Sequence, residues 1–163
     1  MTTQPKTLKA SALDILTGDQ VKHVSALVVR DNDGIDDATA ISIVDEAVKF
    51  LVAASERSGE GKPLRPSRLV DMGWHALILH TKIYFDVCGK IGDARYLHHV
   101  PEDLGTLRHN EATIENTVAA IERSGYSVNP ILWSVKANQE LAPHASDCMH
   151  SECTGDGGCT APQ

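Results

Sequence analysis

The segment from Ile35 to Arg57 constrains this chain more than any other. Ile35, Ala38, Ile41, Val44, Val48, Leu51 and Val52 recur mostly at steps of three and four, the period of one helix face. Asp36 and Asp37 suit the positive end of such a helix, and Gly59 and Gly61 mark its stop. Its apolar stripe needs other elements to pack on, and the neighbouring sequence supplies more helices. Val21 to Val29 carries Val21, Val24, Leu27 and Val28 at helical spacing and ends at Asp31-Asn32-Asp33-Gly34. That turn is not a calcium loop, because Val29 and Ala40 would fall where ligands are required. Ser67 is a good N-cap for a second long helix from Arg68 to about Gly89. A third runs from near Asn110 to Arg123, with Ile114, Val118 and Ile121 inward and Gly125 as its stop. Gly92 to Pro101 reads as irregular or extended, and Ile131, Leu132 and Trp133 are expected to anchor the end of the domain. From about Ala137 the chain turns small, polar and Gly-rich, with too little apolar area to order itself. The expected fold is mostly α: a compact bundle of about four helices over 1–136, then an irregular Cys/His/Gly-rich tail over 137–163.

Charge and length narrow the function classes. The 163 residues suit one domain with a tail. Lys plus Arg number 15 against 22 Asp plus Glu, a net charge of −7, which argues against a nucleic-acid binder. The longest apolar run, Phe50 to Ala54, is far short of the roughly 20 residues of a membrane span. The polar start, Met1 to Ala10, has no apolar signal core, so a cytoplasmic, reducing location is expected. In that setting clustered thiols bind metal more often than they pair, and three of the four cysteines lie in the last 16 residues.

The densest polar chemistry lies on the helix from Arg68. Asp71 and His75 are four residues apart, so they share a face one turn apart along the axis. His80 points about 140° away from His75 at 100° per residue, outside any shared site. Cys88 falls roughly 20 Å along a continuous helix from His75 and reads as a small buried hydrophobe. The adjacent His98 and His99 lie about 30 Å of extended chain beyond Gly89, enough to run back to His75. In an extended segment their side chains point to opposite sides, so one can face the helix. Asp71, His75 and one of His98 or His99 would suit zinc or ferrous iron with open positions. The same residues also make sense as a structural hydrogen-bond cluster.

The run Val70-Asp71-Met72-Gly73-Trp74-His75-Ala76-Leu77-Ile78-Leu79-His80-Thr81, followed by Tyr84, Cys88 and His98-His99-Val100-Pro101, resembles the glycine-rich domain protein family. Small actinobacterial members with a Cys/His-rich tail are similar also at Val44-Asp45-Glu46-Ala47 and Thr117 to Glu122, and the likeness spans Val21 to Trp133. The resemblance implies the helical fold and points to Asp71, His75, Cys88, His98 and His99. It supplies no reaction. Ala76-Leu77 stands where many relatives carry a second His two positions after the first, which weakens a two-His site confined to this helix.

In the tail, Cys148, His150, Cys153 and Cys159 are separated by one, two and five residues. Three thiolates and an imidazole complete a tetrahedral zinc shell, and soft ligands also suit Cu(I). Glycines at 155, 157 and 158 would let the backbone wrap an ion. The spacing has no paired Cys-x-x-Cys, and a tail whose thiols stay reduced fits it too. A third arrangement has the tail lend one ligand to the Asp71/His75 site.

The expectation is a small metal-binding helical protein, zinc first with iron or copper as alternatives, acting on an unknown small molecule or protein. The competing expectation is a non-catalytic interaction module. No nucleophile elbow, phosphate loop or dinucleotide fingerprint is present.

Overall fold

The structure is a computed structural model that describes residues 7–56, 63–92, 96–99, 113–142 and 151–152. Among these, seven α-helices carry the fold: α1 (Gly18–Asp31), α2 (Asp37–Ser55), α3 (Arg68–Leu79), α4 (Thr81–Ile91), α5 (Ile114–Arg123), α6 (Pro130–Trp133) and α7 (Val135–Leu141). A 3-10 turn at Leu13–Ile15 precedes them. Two short strands, β1 (His98–His99) and β2 (Ser151–Glu152), pair antiparallel with His98 opposite Glu152 and His99 opposite Ser151. The fold is mostly helical as expected, with more and shorter helices than a four-helix count. No helix among the described residues is long and apolar enough to cross a membrane.

Helix α2 runs through the middle, packed by α1, α3, α4 and α5. From Ile43 to Ala54 every residue is buried, so the helix has no solvent face for most of its length. The stripe expected at its start is rotated: Ala38 and Ile41 are exposed, while Ala40 and Ile43 face inward. The reason is that period alone cannot pick a face on a helix apolar nearly all round.

Caps fix where the helices begin. Thr17 and Gln20 form a reciprocal capping box on α1, at 3.2 and 2.9 Å. Asp36 Oδ1 accepts from Thr39 N at 2.7 Å on α2. Ser67 Oγ accepts from Val70 N at 3.2 Å on α3, as its sequence position predicts. The same hydroxyl donates to the Leu132 carbonyl at 2.7 Å, tying α3 to α6.

The long second helix is in fact two. His80 leaves helical geometry at φ −90°, ψ 67°, ending α3 and starting α4. Its ring Nδ1–H donates to the Ala76 carbonyl at 2.8 Å, a local bond that holds the break. The break resets the helical phase, so Phe85 is 65% exposed while Tyr84 beside it is buried. Tyr84, Val87 and Cys88 are the buried residues of α4.

The end of the domain also differs. Leu132 and Trp133 are buried as anchors, but Ile131 is exposed. Beyond Trp133 the chain continues as α7, where Ala137 and Asn138 are buried, with Ala142 buried just after it. Asn138 explains this: its Oδ1 accepts from Leu69 N at 2.8 Å, and its amide donates to the Leu132 and Ser134 carbonyls.

Candidate metal centre

Helix α3 presents Asp71 in its first turn and His75 one turn later, the i,i+4 relation that brings two side chains together. The chain then returns through residues 96–99, and His99 closes the group. His75 Nε2 lies 3.1 Å from His99 Nε2, and His99 Nε2 lies 3.3 Å from Asp71 Oδ1. His75 Nε2 to Asp71 Oδ2 is 3.7 Å. The Asp71 side chain is 7% exposed, His99 11% and His75 46%, so the trio opens to solvent on the His75 side.

These separations have two chemical meanings. Two Nε2 atoms 3.1 Å apart share a hydrogen bond only if one of them carries a proton. Alternatively both lone pairs point at one ion. Ligand atoms about 2.0–2.1 Å from a tetrahedral zinc lie roughly 3.3 Å from one another, and the observed triangle is close to that. Asp71, His75 and His99 are the group of metal-ligand type that the described residues bring within 4.8 Å.

The electrostatics favour a cation. Asp71 is buried, yet among the described residues only the two imidazoles meet its carboxylate. Buried charge is normally paired or bound to metal. Burial pushes the His75 pKa down; the Asp71 charge opposes this, and His99 adds to it. His75 therefore favours its neutral form, which is the form that ligates.

Trp74 backs the site. Its ring lies 4.5 Å from the His99 ring, centroid to centroid, and 5.2 Å from Phe50. Its indole N–H donates to Tyr84 Oη at 3.0 Å, and Tyr84 donates to the Leu97 carbonyl. Sequence reasoning missed this anchor, since Trp74 and Tyr84 would stand about 15 Å apart on an unbroken helix.

Of the doublet, His99 faces α3 while His98 is exposed beside Tyr96, with ring centroids 5.6 Å apart. The two point to opposite sides as an extended segment requires. Cys88 is buried, and burial raises its thiol pKa against hydrogen bonds at Leu97 and Tyr84. That suits a packing residue rather than a ligand or nucleophile. Cys148, His150, Cys153 and Cys159 lie outside the described residues.

A second polar cluster was also unforeseen. Lys49, 2% exposed, donates to Glu46 Oε1 at 2.8 Å and to the Ser127 carbonyl at 2.9 Å, and meets Asp45 Oδ2 at 2.9 Å. Glu46 also accepts from Trp133 Nε1 at 2.6 Å and Asn129 N at 3.0 Å. Asp45 accepts from Ser11 Oγ and Ala12 N. A cleft of about 200 Å³ opens beside it. The charges satisfy one another and splice the N-terminal segment and the turn at 127–129 onto α2. The available signal was the charged triplet inside an otherwise apolar helix.

A family model described as UCP032817-like matches residues 20–123, a stretch that contains Asp71, His75 and His99. No curated protein and no solved structure matches the chain.

Proposed function

The chain belongs to the UCP032817-like family, and we propose that it is a metal-binding helical protein whose Asp71, His75 and His99 hold one divalent transition-metal ion. The observation that carries this reading is a buried carboxylate met only by two imidazole nitrogens among the described residues, at separations of metal ligands. Two nitrogens and one oxygen suit zinc first and ferrous iron second. Three protein ligands leave a position for water or a substrate oxygen, and the half-exposed His75 puts that position within reach of solvent. Such an ion would polarise a carbonyl or lower the pKa of bound water. Kinship with the glycine-rich domain proteins belongs to the same proposal, supported by the motif from Asp71 through His99. The tail residues Cys148, His150, Cys153 and Cys159 are proposed as a second, softer site for zinc or Cu(I), on their chemistry alone.

The test is elemental analysis of protein purified without a histidine tag, with zinc and cobalt titrations. Near-stoichiometric metal is expected, and His75→Ala should lose the domain's share of it. Replacing Cys148, Cys153 and Cys159 by serine, which keeps the Ser151–Glu152 partner of His98–His99 in the chain, should spare that share while abolishing sulfur-to-cobalt charge-transfer absorption. A second reading is favoured by the same short distances, which also fit hydrogen bonds: the trio pins β1 to α3 in an interaction module. Protein that takes up neither ion and keeps full stability would overturn the metal reading in favour of that one.

A further inference from the structure

His99 reaches the site from a segment that no helix holds. Within residues 96–99, His98 and His99 pair with Glu152 and Ser151 of β2, and side-chain contacts supply the other fixed points. Leu97 is buried to 1%, and its carbonyl accepts the Tyr84 hydroxyl. The Tyr96 ring stands edge-on to Tyr84, with centroids 5.1 Å apart. His99 lays its ring against Trp74 at 4.5 Å. These fixed points are themselves joined, because the Trp74 indole N–H donates to Tyr84 Oη at 3.0 Å. Trp74 and Tyr84 are both fully buried. One hydroxyl therefore accepts from the residue that backs the His99 ring and donates to the carbonyl two residues before it. Neither bond involves a donor atom of Asp71, His75 or His99. Burial raises the Tyr84 pKa well above the ordinary phenol range, so the hydroxyl keeps the proton it donates.

We infer that Tyr84 is the positioning residue of the metal centre, setting the His99 ring over Asp71 and His75 through Trp74 on one side and the Leu97 carbonyl on the other. A phenylalanine would fill nearly the same space. It would leave a buried indole N–H and a buried carbonyl without partners, and the 96–99 segment would have to shift to satisfy them. Groups that orient a ligand without touching the metal typically matter 10–100-fold in affinity.

The inference rests on the metal reading for its affinity arm only, and Tyr84→Phe tests it in two ways. In metal-free full-length protein, the His99 ring protons should feel the Trp74 ring current, and in Tyr84→Phe that NMR shift should collapse. In a cobalt titration, affinity should fall about 10–100-fold and the cobalt ligand-field spectrum should change. Ile121→Val, in a fully buried residue of α5 with none of these contacts, should move neither readout. A folded Tyr84→Phe protein with unchanged His99 shifts and unchanged cobalt affinity overturns the inference. If the wild type takes up no cobalt, the metal reading fails and the NMR arm still decides the positioning role. Should Tyr84→Phe not fold, Trp74→Phe carries the test, since it keeps a ring beside His99 and deletes the N–H. Weaker cobalt binding and faster hydrogen exchange at residues 96–99 are then expected, and wild-type values in both overturn the inference.

Discussion

At the scale of single residues, Gly73 controls how closely α3 lies on α2. A Cβ there would stand 2.8 Å from the Ile43 carbonyl oxygen and 3.0 Å from both Ala47 Cβ and Ile43 Cγ2. Two effects oppose each other in Gly73→Ala. Helix propensity favours alanine by about 1 kcal/mol. Overpacking typically costs about 1–3 kcal/mol, and here the nearest atom is backbone, which yields least. The clash should win, with a net loss of about 1–2 kcal/mol. Urea denaturation measures it as a lower midpoint at unchanged slope. An alanine variant more stable than the wild type would mean that the two helices have room between them. The site has a stake in this contact because Asp71, Trp74 and His75 surround Gly73 in sequence. The need for glycine was not legible beforehand: Gly73 sits mid-helix, where sequence alone shows only a weak helix former.

At the scale of elements, what was readable and what was not divide along physical lines. Apolar period and caps announced α2 and the start of α3, because both signals are local. The pairing of Asp71 with His75 was readable for the same reason, as helix geometry fixes it. Reach and alternation allowed one imidazole of the doublet to come back, and His99 does. The break at His80 was invisible, since neither proline nor glycine marks it. Everything that depends on the break was hidden with it: the Trp74–Tyr84 bond, the hold on Leu97 and the exposure of Phe85. The role of Asn138 was hidden too, because its partners lie on other elements. Asn138 accepts from Leu69 N, one of the amides in the first turn of α3 that no helical carbonyl can serve. Asn138→Ala should leave that amide unpaired in a buried place and cost about 1–3 kcal/mol. Hydrogen exchange should show the loss first at the start of α3, the turn that carries Asp71. Unchanged protection there, with unchanged stability, would mean that α7 is not what secures this helix end.

At the scale of the whole molecule, the buried titratable groups set how stability responds to pH. Burial raises the Cys88 thiol above its ordinary 9.0, outweighing the Leu97 and Tyr84 hydrogen bonds that favour the thiolate. Burial likewise raises Tyr84 above 10.0, against the Trp74 hydrogen bond and with help from Cys88 and Tyr96. For Lys49, burial pulls down from 10.5, but the hydrogen bonds and charges of Glu46 and Asp45 outweigh it and the pKa rises. In all three the folded chain holds its proton more firmly than the unfolded chain does. Each therefore contributes stability that is complete below its unfolded pKa and is lost as pH rises through the folded one. On the acidic side the carboxylates of Asp31, Asp36 and Glu115, whose pKa values are lowered, are exposed and screened by solvent. The half-buried His75, whose pKa burial lowers, contributes stability that is lost as pH falls from its unfolded value through its folded one. Stability measured by urea unfolding, with a chelator present to remove metal, should hold level near neutrality. It should then fall steadily above about pH 9, where the unfolded thiol, phenol and ammonium lose their protons in turn. Cys88→Ala should delay the onset, and Lys49→Met should flatten the far end of the decline while lowering the neutral plateau, because it strands the Asp45 and Glu46 carboxylates. Stability that stayed constant or rose between pH 9 and 11 would overturn the raised pKa values of these three groups.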